Sequence, residues 1–187
     1  MKTRETSLPD ILVFQPSIHR DDRGFFLESW NQRVFDEVIG RPVRFVQDNH
    51  SRSRRGVLRG LHFQIDPAAQ AKLVTVMNGR IFDVAVDLRP SSPTYGKWLG
   101  EELCGDERAA LWIPEGFAHG FLVLSEFADV LYKTTNIYSP GHERCIRWDD
   151  AELAVEWPAE VSEPVISTKD AAGMSWNEAK RSFLPHS

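Results

Sequence analysis

The sequence predicts a mainly β fold, a sandwich or barrel with a few short helices. Three observations carry this. Apolar runs are short, rich in β-branched and aromatic residues, and bounded by Gly, Pro, Asn or Asp. They fall at residues 11–14, 25–30, 43–49, 57–64, 73–77, 81–88, 111–114, 120–124 and 130–138. Only residues 31–39 and 176–183 read as helical, too little for alternating βαβ units. Finally, 26% charged residues with 42% hydrophobic ones is a globular balance, excluding collagen-like and disordered chains.

Taken in order, the first residues are polar and lack the apolar stretch of a secretion signal. The helix at 31–39 opens on Asn31 and is stopped by Gly40. Residues 73–88 predict a hairpin, because Asn78-Gly79 supplies the two positive-φ positions of a tight primed turn. That register pairs Met77 with Arg80, Val74 with Asp83 and Lys72 with Ala85. Alternation puts Lys72, Val74, Val76, Ile81, Asp83, Ala85 and Asp87 on one face, with the other face as core. Lys72 then lies between Asp83 and Asp87, either as an exposed charge pair or as an ammonium held in a half-polar barrel mouth. Asp170, followed by Ala171 and Ala172, reads as a helix cap. With 187 residues and no linker or repeat, one domain spanning 1–187 is expected, with a helical tail from about 171.

Charge and cysteine content narrow the function. Against 22 Lys and Arg stand 27 Asp and Glu, a net −5, which argues against a general nucleic-acid binder. The local basic run Arg52, Arg54 and Arg55 reads as a solvated turn. No apolar run approaches the roughly 18 residues of a membrane span. Two cysteines make neither a disulfide framework nor a four-thiolate metal site. A cytoplasmic protein is expected.

Of the six histidines, His186 lies in the tail, His142 in a turn, and His19 and His50 in polar stretches. His62 and His119 differ, each standing among apolar residues beside glycine, in VLRGLHFQ (57–64) and IPEGFAHGF (113–121). Strict alternation would place Arg59 and His62 on opposite faces; a bulge at Gly60 would bring them to one side.

The segments DRGFFLE (22–28), VQDNHS (46–51), GVLRGLHFQ (56–64), FDVAVDLR (82–89), WIPEGFAHGF (112–121), LYKTTN (131–136) and STKD (167–170) together resemble the dTDP-4-dehydrorhamnose 3,5-epimerase family. The resemblance runs in family order from about Pro9 to Asp170. It implies a cupin-type jelly roll, a homodimer, no cofactor and no metal. It also implies epimerisation at carbons 3 and 5 of a dTDP-linked 4-keto-6-deoxy sugar, in the synthesis of dTDP-L-rhamnose for surface polysaccharides. Both carbons flank the ketone, so the chemistry requires a base, an acid on the opposite ring face and a cation near the keto oxygen.

The resemblance assigns these parts. His62 matches the base, and Asp170 the carboxylate that holds it. Lys72 matches the cation at the keto oxygen, with Asp83 its expected holder by register. Tyr132 matches the acid; a phenol keeps its proton at pH 7. Tyr138 matches the aromatic that stacks on thymine. Arg23, Arg59 and Lys169 match cations for diphosphate or sugar oxygens. Glu28, Gln47, Asp48, Asn49, His119 and Glu143 match further substrate contacts. Alternation puts Gln47 and Asn49 on one strand face, so contact by Asp48 would go through its backbone.

Other readings remain open. A metal cupin typically presents His-x-His, Glu and a later His. Here His62-Phe63-Gln64 lacks the second histidine, and three or four ligands are usually needed. A dead sugar-nucleotide-binding domain would have lost the base, its carboxylate or the acid. Relatives that invert one carbon, or move a keto group, differ by ring pose.

Overall fold

The computed structural model describes residues 1–182. In chain order the first elements are β1 (Lys2–Glu5), β2 (Leu12–Gln15), β3 (Ile18–Asp21), β4 (Gly24–Leu27), α1 (Gln32–Ile39), β5 (Gln47–Arg54) and β6 (Leu58–Gln64). Next come β7 (Lys72–Asn78), β8 (Arg80–Asp87), β9 (Trp98–Cys104), β10 (Ala110–Ile113), β11 (Phe117–Val123), β12 (Phe127–Thr134) and β13 (Glu143–Cys145). Two short helices, α2 (Thr168–Ala171) and α3 (Trp176–Ser182), close the described chain. One sheet runs β1-β2-β10-β7-β12-β5 and the other β13-β6-β11-β8-β9, while β3 and β4 form a separate hairpin. Pairing between named strands is antiparallel, for example β12 with β5 and β11 with β8. The mainly β, cupin-type sandwich expected from the sequence is the fold observed.

Three apolar layers hold it. Val13, Val74, Val76, Leu111 and Val130 of the six-stranded sheet meet Ile81, Ala85, Leu103, Phe121 and Val123 of the five-stranded sheet between them. The outer face of the six-stranded sheet is covered by α1, whose Phe35 stacks on Phe14 at 4.9 Å and meets Trp112 edge-on at 5.2 Å. The C-terminal segment covers the other sheet, with Ile146, Leu153, Trp176 and Ala179 against Leu61, Val84 and Val86. Burial of apolar side chains, at roughly 25 cal/mol per Å², makes these layers the dominant stabilising term. As predicted, Gly40 ends α1, at φ +77°; Asn31, expected as its first residue, is its cap and accepts from the Val34 N–H. No helix among the described residues is long and apolar enough to cross a membrane.

Four expectations are corrected. Strands β7 and β8 do not pair: β7 lies between β10 and β12, and β8 between β11 and β9. Asn78-Gly79 turns the chain from one sheet to the facing one, and a Cβ on Gly79 would meet the Phe127 carbonyl oxygen at 2.0 Å. Val74, Val76, Ile81, Asp83 and Ala85 do share a face, but it is the sandwich interior, whereas Leu73 and Val84, expected as the core face, lie under the outer layers. Second, Lys72 is not held between Asp83 and Asp87. Asp87 is taken by Arg89, Ser92 and Thr94; Asp83 accepts from His119 and attracts the Lys72 ammonium without a hydrogen bond to it among the described residues. Third, Arg52 and Arg54 are not in a turn; they lie on edge strand β5, where Arg52 pairs with Asp129 at 3.0 Å. Fourth, Ser167, not Asp170, caps α2; its side chain accepts from the Asp170 N–H. Strands β1, β3, β9 and β13 were not anticipated, and the predicted end of the last helix at Phe183, with His186, lies outside the described residues.

Candidate active site

The site begins with a bulge. Across β11 and β6, His119 faces His62 but Phe121 faces Arg59, so two residues of β6 oppose Gly120 alone. Gly60 takes φ +117°, and a Cβ there would lie 2.6 Å from the Gly120 Cα. Only glycine fits. The extra residue reverses the alternation: Leu58 faces the outer layer and Arg59 the interior, yet after the bulge Leu61 and Phe63 face outward and His62 and Gln64 inward. Arg59 and His62 thereby line one cavity of about 250 Å³ between the sheets.

The cavity walls come from both sheets. Strands β6 and β11 contribute Arg59, His62, Gln64, His119 and Phe121; β5, β7 and β12 contribute Gln47, Asn49, Ser51, Lys72 and Tyr132. Tyr132 faces Asn49 and Val74 in register. His62 and Tyr132 thus project from opposite sheets. At the mouth, Glu143 accepts hydrogen bonds from the Tyr138 hydroxyl at 2.6 Å and from the Lys169 ammonium. Gln47 accepts from the Tyr138 backbone N–H at 2.9 Å, which braces that otherwise exposed ring.

Hydrogen bonds set the ionisable groups. His62 Nε2 lies 2.7 Å from Asp170 Oδ1, while Asp170 Oδ2 accepts from the Gly60 N–H at 3.3 Å. Burial alone would raise the Asp170 carboxyl, but His62, Gly60 and Ser167 outweigh it and hold it below the ordinary range. With Nε2 facing this carboxylate, Nδ1 is the nitrogen left for chemistry in the cavity. Burial pushes the Lys72 ammonium down to about 8, against the attraction of Asp83 and Glu143. Its Nζ donates to the His62 carbonyl at 3.3 Å, tying β7 to β6 across the sandwich. His119 is also pushed down by burial, although Asp83 lies 2.9 Å from its Nε2 and pulls the other way; the neutral imidazole donates to Asp83. Burial raises the Tyr132 phenol, which therefore stays protonated at neutral pH.

Of the residues singled out from sequence, Gln47, Asn49, Arg59, His62, Lys72, His119, Tyr132, Tyr138 and Glu143 line this cavity. Asp170 and Lys169 reach it through His62 and Glu143. Asp48 points away, bonded to Lys133 at 3.0 Å. Arg23 and Glu28 are not brought to the cavity: Arg23 pairs with Asp21 on the β3–β4 hairpin, and Glu28 accepts from Asn31. Sequence reasoning missed Ser51, Gln64, Gln70 and Phe121 in the lining. Ser51 was within reach of the period-two pattern that starts at Gln47, and its buried hydroxyl has no partner among the described residues. His62 and His119 do not share a third donor suited to a metal, so the metal-cupin ligand set is not assembled among the described residues.

Comparison with known proteins gives the family and the fold. The family model described as dTDP-4-dehydrorhamnose 3,5-epimerase matches residues 5–178. A dTDP-4-dehydrorhamnose 3,5-epimerase of Pseudomonas aeruginosa is 56% identical over 179 residues, covering 96% of this chain and 98% of its own. The crystal structure of a Legionella pneumophila 3,5-epimerase in complex with dTDP-4-keto-L-rhamnose superposes with a TM-score of 0.92 at 45% identity, over 100% of this chain and 98% of that one. A 3'-monoepimerase of Streptomyces bikiniensis, solved with dTDP-quinovose, is more distant: 31% identity and a TM-score of 0.89, over 94% and 88%. The chain therefore belongs to the dTDP-4-dehydrorhamnose 3,5-epimerase family.

Proposed function

We infer that this enzyme inverts carbons 3 and 5 of dTDP-4-keto-6-deoxy-D-glucose, giving dTDP-4-keto-L-rhamnose. The observation that carries the mechanism is the placement of His62 and Tyr132 on opposite sheets around one cavity, with Lys72 beside them. His62 Nδ1 removes the proton next to the ketone, and Asp170 stabilises the imidazolium through Nε2–H. Negative charge moves onto the keto oxygen, where the Lys72 ammonium faces it. Tyr132 then delivers a proton to the other face of the enolate, and both groups re-equilibrate with solvent. Repetition at the second carbon completes the isomerisation.

Substrate binding follows from the same placement. Tyr138 stacks on the thymine, held by Gln47 and Glu143. Arg59 and Lys169 meet the diphosphate, while Gln47, Asn49 and His119 address sugar or nucleotide oxygens. The functional unit is a cytoplasmic homodimer without nucleic-acid or membrane partners. Arg23 and Glu28 act on the partner's cavity, from a hairpin whose Phe25 and Phe26 are 51% and 72% exposed. Asp48 contributes through its backbone. The testing experiment is solvent deuterium incorporation into the substrate, followed by NMR. Label at both carbons 3 and 5 supports two-centre epimerisation, and label at one carbon overturns it.

A further inference from the structure

Cys145 plays no part in this mechanism, yet it adjoins the catalytic pair. It is the cross-strand partner of His62 on β13, where its side chain is 8% exposed. Burial, with Asp170 and Glu143 nearby, pushes the thiol up to about 12, so it is protonated and a poor nucleophile at neutral pH. Its Sγ, a His62 ring nitrogen and an Asp170 carboxylate oxygen all lie within 4.8 Å of one another. Among the described residues this is the one group of three such donors.

We propose that His62, Asp170 and Cys145 form an inhibitory site for a thiophilic divalent cation of the zinc type. The donor set is nitrogen, oxygen and sulfur, one of each. That suits zinc and excludes magnesium and calcium, which take oxygen ligands. Three protein ligands leave a fourth position for water. Zinc sits about 2.0–2.2 Å from nitrogen and oxygen ligands, so the His62–Asp170 hydrogen bond must open to about 3.3 Å. Asp170 can give up Oδ1 because Oδ2 keeps its bond from the Gly60 N–H.

The exchange balances with one proton released. The thiol loses its proton to solvent and the thiolate binds the metal. The proton on His62 Nε2 moves to Nδ1, freeing the Nε2 lone pair for coordination. Nδ1 then carries a hydrogen and can no longer accept one from the sugar. Inhibition thus follows from coordination itself, without blocking the cavity; this consequence, though not the site, rests on His62 being the base.

The test uses the full chain, freed of metal by chelator. Cadmium serves as a spectroscopic stand-in, because thiolate ligation produces an ultraviolet charge-transfer band. The expected result is one cadmium per chain with that band, and zinc inhibition of exchange that excess EDTA reverses and magnesium does not imitate. Cys145→Ala and the near-isosteric Cys145→Ser should keep basal exchange, lose the band and raise the zinc inhibition constant at least about tenfold. Cys104 remains in both variants and controls for adventitious thiolate binding. Absence of the band in the wild type, or its survival in both folded variants, would overturn the site. If the band forms but exchange continues undiminished, the site stands and His62 is not the base.

Discussion

Gly60 and Gly120 face each other across β6 and β11 so closely that neither has room for a side chain. A Cβ on Gly60 would sit 2.6 Å from the Gly120 Cα, and one on Gly120 would sit 2.5 Å from the Arg59 carbonyl oxygen. This close approach accompanies the bulge that turns both Arg59 and His62 toward the cavity between the sheets. Gly60→Ala should therefore lower stability by about 2–3 kcal/mol, through overpacking and a positive φ that alanine resists. Urea denaturation measures it. A variant as stable and active as the parent would mean the strands can part without disturbing the site.

Asp170→Asn keeps the size of the side chain but removes the charge 2.7 Å from His62 that, in the proposed mechanism, stabilises an imidazolium. Turnover should fall about 100-fold or more, with little change in KM, since the carboxylate matters most when His62 carries the proton. A rise in KM at unchanged turnover would make Asp170 a binding support instead.

Lys72 imposes an alkaline limit. Its buried ammonium loses its proton near pH 8, below the ordinary lysine value, so the cation that the proposed mechanism sets against the enolate disappears as pH rises through that point. Exchange measured as kcat/KM should decline tenfold per unit above about pH 8. In Lys72→Ala the rate should already be about 100-fold lower and that limb absent. A limb that persists in the variant would assign it to another group.

Acid stability has a separate source. Burial would raise the Asp87 carboxyl, but Arg89, Ser92 and Thr94 bring it down to about 2 from the ordinary 3.8. The folded state therefore favours the ionised form. The resulting stability, about 2 kcal/mol, is complete above roughly pH 5 and lost as pH falls toward 2. Asp87→Asn should show a lower midpoint at pH 7 and a shallower decline in acid, measured by denaturant titration. A parallel loss with pH in both proteins would contradict this.

The dimer reading has its own test. If Arg23 serves the partner's cavity, inactive Arg23→Ala and His62→Ala chains should complement when refolded together. Each mixed dimer then holds one intact site, restoring about a quarter of parental activity. Recovery at the level of the separate variants would place Arg23 in its own subunit's site or outside catalysis.

Most strands were legible because their apolar runs are short and punctuated, and α1 because Asn31 and Gly40 mark both its ends. The Asn78-Gly79 corner was not. A local turn signal reports the backbone dihedrals of two residues, and those serve equally well to join strands of one sheet or of facing sheets. Alternation could not separate the cases, since both faces of β7 and β8 are buried: Val74 and Ile81 inside, Leu73 and Val84 under outer layers. Strand β13 has three residues and gains its definition from pairing with β6, so Cys145 gave no sign that it lies beside His62. Within the site, motif resemblance supplied Asp170, which no periodicity connects to a histidine 108 residues away.

The central claim is that His62 removes the proton and Tyr132 returns one from the opposite side. Deuterium incorporation at carbons 3 and 5, read alongside full inversion, separates the two steps in one NMR experiment. In His62→Ala, label at both carbons should vanish together with inversion. In Tyr132→Phe, label should still enter while formation of the L-rhamno product slows by about 100-fold or more. Equal loss of label and inversion in Tyr132→Phe, or label surviving in His62→Ala, would contradict the assignment.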